Sequence, residues 1–359
     1  MTQNKARLML RRLAVLLALV LLFCTLSGCK KGSEQPLSAG LEMIEGTPVF
    51  DDDVAVKTDH FTVTPGMMAY FFYTFGNTVL TEIEKTVPFV QGVSLHDQKY
   101  SDTQSFYDVI MSETLSRVCH MLIVCEAAHA EGVTLSETQK NEVESTMTSY
   151  RMLAAANYKM ELSAYLQSLY GPRMSEEDLR SVVELETLAN SFSMTLSDRL
   201  EAGITTQQAK AYADTNGLTD HTPSRNIAYL FIPFENGAVA TQKVDEAFTA
   251  LKGAPSVATL QAQKNGTFGT EENITPQNGG IEQINAWLFD AERLVGDCAR
   301  IDTAGATYLV LYTGNGMSYA EVEARRALFD TAYAAWYNEW VEKLNFGYNY
   351  DCLDSYDVN

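Results

Sequence analysis

The sequence predicts an α+β protein in which a small domain of strands and short helices is inserted between helical segments. Two apolar runs, 225–233 and 308–312, have the length and composition of strands, and a helical pattern over 244–260 lies between them. The regions on either side repeat apolar residues at helical spacing and carry helix-capping residues. We therefore expect a helical domain, residues 51–220 with a C-terminal helix at 316–345, around an inserted domain at 221–315.

Composition predicts a folded, strongly acidic protein. The chain has 359 residues, 46% of them hydrophobic and 10% aromatic, which is typical of globular rather than disordered proteins. The formal net charge is −20. Residues 1–28 hold four basic residues and no acidic one, so the remainder is still more acidic. Such a surface disfavours binding to the phosphate backbone, and we expect no nucleic-acid partner.

The chain begins with a segment typical of a secretory signal. In residues 1–28, basic residues precede an apolar run that ends in Leu26-Ser27-Gly28-Cys29, which resembles the lipobox of bacterial lipoproteins. This resemblance implies that the signal is removed before Cys29 and that Cys29 carries a lipid, which anchors the protein at the extracytoplasmic face of the bacterial cell membrane. The alternative is an ordinary signal peptide or a single membrane-spanning anchor. The polar residues 29–50 are predicted to be a tether.

The N-terminal region then predicts a short hairpin followed by helices. Residues 54–63 alternate around Thr58-Asp59, and Thr64-Pro65 is typical of a helix start. The helix that follows, to about residue 87, is dense in methionine and aromatic residues. We interpret these as core, and the alternative is an adaptable apolar surface for unfolded chains. They are Met67, Met68, Tyr70, Phe71, Phe72, Tyr73 and Phe75.

Capping residues predict the remaining helices. The expected extents are 105–130, 136–170, 175–200, 205–216 and 318–344. The last helix is apolar and is expected to pack on the N-terminal helices. Residues 346–359 are rich in Tyr and Asp and are predicted to be a partly disordered tail.

The cysteines and histidines form no recognisable metal or cofactor motif in the sequence. Cys119 and Cys125 are six residues apart on one predicted helix, so they face different sides and are expected to be small buried side chains. The sequence leaves a disulfide between Cys298 and Cys352 open. We therefore predict no cofactor and no metal site.

The inserted region carries a family resemblance. Arg225-Asn226-Ile227, Gly279-Gly280, the segment 286–289, Gly296-Asp297 and the strand from Gly305 follow the order of the parvulin-type (PpiC-type) peptidyl-prolyl isomerase domain, which this region resembles. The two histidines of that family are missing. Asn226 stands at the first position, and Thr307 or Tyr308 at the second. All five histidines of the chain precede the strand-like run at 225–233, so the resemblance is to a degenerate member.

The helical region extends this resemblance. The segments 63–72 and 130–136, and Tyr170-Gly171 before a capped helix, resemble the helical arm of SurA/PrsA-type lipoprotein foldases. In that family, N- and C-terminal helices build one chaperone domain around a parvulin insert. The resemblance implies a membrane-anchored extracytoplasmic chaperone or foldase that binds unfolded or nascent secreted polypeptides, with weak or no isomerase activity. The alternatives are an active prolyl isomerase and a lipoprotein that binds a solute or cell-wall component.

The resemblance also assigns candidate site residues. Phe289 matches the pocket phenylalanine of the family, and Trp287, Leu288 and Phe231 are expected to line the same apolar wall. Asn226 and Tyr308 are candidates for the hydrogen bonds that the family's histidines would organise. Such a site has to hold a twisted proline amide away from water. The alternative is that all of these are plain core residues of a degenerate domain.

Overall fold

The computed structural model describes residues 44–85, 87–234 and 241–357. The predicted signal segment, the lipid site at Cys29 and most of the tether lie outside the described residues. Among the described residues, no helix has both the length and the apolar character needed to cross a bilayer.

Helices and strands alternate along the chain as follows. The helices are α1 (Pro65–Ile83), α2 (Phe106–Ala130), α3 (Glu137–Leu153), α4 (Leu162–Tyr170), α5 (Glu176–Ala202), α6 (Thr206–Thr215), α7 (Thr241–Gly253), α8 (Val257–Gln261), α9 (Glu282–Leu288), α10 (Tyr319–Lys343) and α11 (Tyr350–Leu353). The strands are β1 (Gly46–Pro48), β2 (Val56–Lys57), β3 (Thr62–Val63), β4 (Pro223–Pro233), β5 (Thr267–Ile274), β6 (Cys298–Asp302), β7 (Ala306–Ser318) and β8 (Phe346–Tyr348). The fold is α+β, as the sequence predicts.

The chain divides into two compact units. The first, called here the helical unit, combines the residues up to Asp198 with those from Ala334 onward, and the second, the inserted unit, runs from Arg199 to Tyr333. Both boundaries fall within long helices, α5 and α10, rather than at the expected 220/221 and 315/316. One reason is that small alanines let α6 pack on the first part of α10, within the inserted unit. These alanines are Ala209, Ala213, Ala320 and Ala324.

The helical unit is built on the packing of α1 against α2. The methionine and aromatic face of α1 lies in this core, where Met67, Met68, Phe71 and Phe72 have almost no exposed surface. The core interpretation of this face is therefore confirmed. Helix α1 itself ends at Ile83, one turn before the predicted end.

The helix predicted over 136–170 is interrupted. After α3, residues Ala154–Tyr158 form a π-helix, and Lys159 adopts a φ of 54°, which ends the helical path. Helix α4 then starts after the extended residue Glu161. The alanine run at 154–156 contains no glycine or proline, so the sequence gives no sign of this break.

Both ends of the described chain join one small sheet, with strand order β1-β8-β2-β3. Gly46 pairs with Phe346, and Val56 pairs with Tyr348, whose side chain is fully buried. A Cβ on Gly46 would lie 2.3 Å from the Tyr348 ring, so the pairing requires glycine there. The expected tail is therefore wrong for residues 346–353, and residues 46–48 are strand rather than tether. The alternating aromatic side chains of β8, Phe346 and Tyr348, are buried against the helical core. This burial is what orders the C-terminal residues.

The inserted unit contains a second antiparallel sheet, of order β5-β4-β7-β6. Helices α7 and α8 cover one face, where Ala228, Leu230 and Leu309 are buried. Helix α9 covers the other face, over Ile227 and Val310. The two predicted strands are confirmed and are longer than expected. The helix predicted over 244–260 is two helices, and β5 and β6 were not predicted.

The four described cysteines are free thiols. Cys119 and Cys125 are buried in α2, as predicted, and their burial raises the pKa of both thiols to about 12. Cys298 and Cys352 are not joined by a disulfide.

Candidate functional site

The structure does not bring together the two positions that match the family's histidines. Asn226 pairs with Gly314, whereas Tyr308 pairs with Phe231. Phe231 lies five residues beyond Asn226 on β4, which at about 3.4 Å per residue is roughly 17 Å. The other candidate, Thr307, is fully buried and donates its hydroxyl to Asp302 over 2.5 Å. Neither Tyr308 nor Thr307 therefore forms a polar pair with Asn226.

Asn226 instead holds strand ends together. Its side-chain oxygen accepts the N–H of Asn273 over 2.8 Å, and the side-chain oxygen of Asn273 accepts the N–H of Met317, also over 2.8 Å. Asn273 has a φ of 56°, a conformation in which asparagine is better tolerated than most residues. This chain of hydrogen bonds links β4, β5 and β7, so the role that Asn226 has in the structure is to position these strands.

Three aromatic side chains meet on the face of the sheet that α9 partly covers. The rings of Tyr308 and Phe231 have centroids 5.2 Å apart, and those of Tyr308 and Tyr229 are 6.0 Å apart. All three are half-buried. We call this group, Tyr229, Phe231 and Tyr308, the aromatic surface. It depends on Gly269 of β5, where a Cβ would lie 2.5 Å from the Tyr229 ring.

A carboxylate accompanies the aromatic surface. Glu271 pairs with Ile227 across β4 and β5, and so projects from the same face as Tyr229. Partial shielding from water raises the pKa of Glu271. Burial also raises the pKa of Tyr229 and Tyr308, and the charge of Glu271 raises both further. The two phenols therefore stay protonated at neutral pH and can donate hydrogen bonds.

The predicted apolar wall on α9 is only partly accessible. Leu288 is fully buried and belongs to the core beneath α9, so it does not line an accessible wall. Phe289 is half-buried, and the guanidinium of Arg225 lies 5.1 Å from its ring centroid. Arg225 also donates to the carbonyl oxygen of Leu288. The guanidinium of Arg293 lies 4.6 Å from the ring of Trp287. Arginine therefore occupies a face of both aromatic rings.

Four large apolar residues between positions 152 and 169 of the helical unit are each 41% to 53% exposed. They lie at the end of α3, in and just after the π-helix, and in α4. We call this group, Met152, Tyr158, Met160 and Leu169, the corner surface. Tyr158 is supported by Tyr165 of α4, with ring centroids 4.7 Å apart. Exposed methionines grouped in this way are typical of surfaces that bind varied apolar partners.

Some of these residues were not predicted from the sequence. Tyr229 alternates with Ile227 and Phe231 along β4, and this period of two was the available signal for the aromatic surface. Glu271 carried no signal, because β5 was not predicted. The corner surface depends on a helix break that the sequence does not show. Possible metal ligands among the described residues come together in the helical unit, at His60, Glu126 and His129.

No protein-family model matches the sequence, and no curated protein matches it. Among solved structures, PrsA from Bacillus subtilis is 16% identical and has a TM-score of 0.32, with 86% of this chain and 94% of that chain covered. A SurA-like chaperone of Campylobacter jejuni is 13% identical with a TM-score of 0.26, and the match covers 82% and 98%. The foldase protein PrsA from Streptococcus pneumoniae str. Canada MDR_19A is 14% identical with a TM-score of 0.25, over 63% and 80%.

The chain is thus similar, over most of its length, to PrsA and to SurA-like chaperones. These neighbours are of the SurA/PrsA type that the sequence suggested.

Proposed function

We propose that the protein is an extracytoplasmic chaperone or foldase that binds unfolded segments of secreted polypeptides at the corner surface. The main observation in support of this proposal is the exposure of four large apolar side chains, Met152, Tyr158, Met160 and Leu169. Folded proteins rarely gather large apolar side chains at the surface without a partner for them. The proposal includes lipid anchoring through Cys29 and little or no prolyl isomerase activity.

The chemistry of the corner surface suits an unfolded chain. Unbranched methionine side chains repack around differently shaped apolar partners, and tyrosine adds a polar tip that can bond a backbone carbonyl. An unfolded polypeptide presents both apolar side chains and unpaired backbone groups. The acidic character of the whole chain, −20 in formal charge, favours clients of opposite charge and disfavours nucleic acid.

The geometry of the inserted unit supports weak or absent isomerase activity. Twisting a prolyl amide has a barrier of about 18–20 kcal/mol, and lowering it requires polar groups that converge on the amide within an apolar pocket. The side-chain oxygen of Asn226 already accepts the N–H of Asn273 at the strand ends, and Leu288 is buried in the core. These two predicted site residues are therefore not available to a bound proline.

One observation favours an active isomerase as the second candidate. Tyr229 and Tyr308 place two protonated phenols beside Phe231, with Glu271 on the same face. Phenols are able to donate hydrogen bonds to the carbonyl groups that flank a proline. On this second hypothesis, the aromatic surface takes the role of the two histidines of the parvulin family.

Suppression of aggregation tests the chaperone proposal. The full-length chain, reconstituted into phospholipid vesicles, is mixed with reduced, unfolded α-lactalbumin, and light scattering follows aggregation. Replacing Met152, Tyr158 and Met160 by serine is expected to raise severalfold the amount of chain needed to prevent scattering. The control is Met194→Ser, the same methionine-to-serine change at a residue that is 71% exposed and lies outside the corner surface. Equal suppression by the triple variant and the control would show that the corner surface does not bind the client.

Metabolic labelling tests the anchor separately. Cells that express the chain are given radioactive palmitate, and we expect label in the wild type and in Cys24→Ala. Cys29→Ala is expected to lose the label. Label that persists in Cys29→Ala would rule out lipidation at this cysteine.

A further inference from the structure

Three side chains of metal-ligating type meet where the β2–β3 hairpin contacts the last turns of α2. His60 lies in the loop between β2 and β3. Glu126 and His129 are three residues apart on α2, and so lie on the same side of the helix. One ligand atom from each residue lies within 4.8 Å of the other two. Residues that are 66 positions apart in sequence are thereby brought into one site.

The carboxylate in this group is held in a fixed orientation. Its oxygen Oε1 accepts the hydroxyl of Thr58 over 2.6 Å and the backbone N–H of His60 over 2.8 Å. The other oxygen, Oε2, lies 2.8 Å from Nδ1 of His60. Glu126 is only 2% exposed. Two donors thus occupy one oxygen, and the second oxygen is directed at the imidazole of His60.

The same hydrogen bonds keep Glu126 anionic. Burial alone would raise the pKa of this carboxyl, but the bonds from Thr58 and His60 outweigh burial and lower the pKa below its ordinary value. A buried carboxylate with a free lone pair is costly unless a cation or a donor pairs with it. A metal ion beside Oε2 would be such a cation.

The two imidazoles form the solvent side of the group. Their rings are stacked, with centroids 4.0 Å apart and an angle of 29° between planes. Phe61 lies edge-on to His129 at 6.2 Å. The side chain of His60 is 51% exposed, which leaves room on the solvent side for its ring to turn toward an ion. Both rings are therefore placed at the rim of a site whose floor is Glu126.

We propose that His60, Glu126 and His129 bind a divalent transition-metal ion, with Zn²⁺ as the best fit, and that water completes its coordination. Two imidazoles and one carboxylate are a donor set that suits Zn²⁺, whereas Ca²⁺ and Mg²⁺ prefer oxygen ligands throughout. Thr58 supplies the hydrogen bond to a ligand that usually accompanies such sites. The bound ion would tie the β2–β3 hairpin to the end of α2.

The sequence predicted no metal site, and the reason is visible in the fold. Glu126-Ala127-Ala128-His129 supplies only two ligands, and nothing in its spacing indicates that His60 joins them. The hairpin register, with Val56 opposite Val63, places His60 at the loop. The proposed site lies within the helical unit and does not depend on the proposed chaperone function.

Calorimetric titration with Zn²⁺ tests the site. The full-length chain carries no histidine tag, is treated with a chelator and is then titrated in phosphatidylcholine vesicles near neutral pH. One Zn²⁺ per chain is expected. His129→Ala is expected to weaken binding by more than the 10–100-fold that loss of a ligand's hydrogen-bond partner costs, and Thr58→Val by about 10–100-fold. His221→Ala, a change at an exposed histidine of the inserted unit, is expected to bind as the wild type does.

Two further measurements distinguish loss of the proposed site from unfolding of the variants and from metal binding at cysteine. Circular dichroism is expected to show that His60→Ala and His129→Ala remain folded, because neither side chain is buried. Titration with Co²⁺ is expected to give visible bands without the sulfur charge-transfer band that a cysteine ligand produces. Absence of Zn²⁺ binding in the wild type would overturn the proposal. So would binding that both histidine variants leave unchanged, or a sulfur band that places the metal on cysteine.

Discussion

The hydroxyl of Tyr356 donates a hydrogen bond of 2.8 Å to the carbonyl oxygen of Pro65, the first residue of α1. Tyr356 is buried, and its ring stacks on that of Phe72, with centroids 5.6 Å apart. The C-terminal residues are therefore part of the helical core, and they close it over the start of α1.

This contact predicts that the end of the chain stabilises the helical unit. Tyr356→Phe removes the buried hydrogen bond to Pro65 and the 3.3 Å contact of the hydroxyl with Cys352 Sγ, and it keeps the ring. It is therefore expected to lower the free energy of unfolding by about 1 kcal/mol. Urea denaturation followed by circular dichroism measures the change. Tyr350→Phe, at a tyrosine that is largely exposed, is the matched control and is expected to have little effect. Equal stability of the two variants would contradict the role of Tyr356.

Glu186 predicts a pH dependence of stability. Burial raises the pKa of Glu186 from 4.5 to about 8. The folded chain therefore binds this proton more tightly than the unfolded chain, and stability falls as pH rises from about 4.5 to about 8. The loss is expected to be a few kcal/mol at most. Burial raises the pKa of Tyr70, Tyr150 and Tyr170, and the charge of Glu186 raises each of them further.

Urea denaturation across this pH range measures the effect. Glu186→Gln is expected to flatten the decline, because the amide does not titrate. Glu184→Gln, at an exposed position of the same helix, is expected to keep it. The same pH slope in wild type and Glu186→Gln would show that another group is responsible.

The close approach of Gly269 to the Tyr229 ring predicts that substitutions at these two positions have non-additive effects on stability. Gly269→Ala places a Cβ against the Tyr229 ring and is expected to destabilise the chain by about 1–3 kcal/mol, since the ring has to move. In a Tyr229→Ala background the same change is expected to cost less, because the obstructing ring is gone. Thermal or urea denaturation of the four chains gives the coupling energy. Strict additivity would show that Tyr229 does not lie against Gly269.

The inserted unit predicts slow or absent prolyl isomerisation. NMR exchange spectroscopy on a proline peptide is expected to show no acceleration of cis–trans exchange by the full-length chain. The physical reason is that Asn226 is bonded within the sheet and Leu288 lies in the core. Acceleration that Tyr308→Phe abolishes, while Asn226→Ala does not, would instead establish the aromatic surface as an isomerase site.

Much of the fold was predictable where local signals act alone. The capping boxes at Ser136 with Gln139 and at Thr205 with Gln208 are both formed, because their hydrogen bonds need only residues three apart. The pattern of β4 likewise follows from alternation. The core position of Met67 and Phe72 follows from the density of apolar residues on α1.

The remainder depends on contacts that no local pattern contains. Phe346 and Tyr348 are ordered because β8 pairs with β1 and β2, about 300 residues earlier in the chain. The separation of Asn226 from Tyr308 follows from the register of β4 on β7. The meeting of His60 with Glu126 follows from the packing of the hairpin on α2. Each of these required the three-dimensional structure.

Site-specific photo-crosslinking shows whether unfolded polypeptides bind at the corner surface. A photoreactive amino acid replaces Met160 in one chain and Met194 in another, and each is irradiated with a reduced, unfolded secreted protein. We expect crosslinks from position 160 that excess unlabelled client removes, and few from position 194. Equal crosslinking from both positions, or none from position 160, would contradict binding at the corner surface.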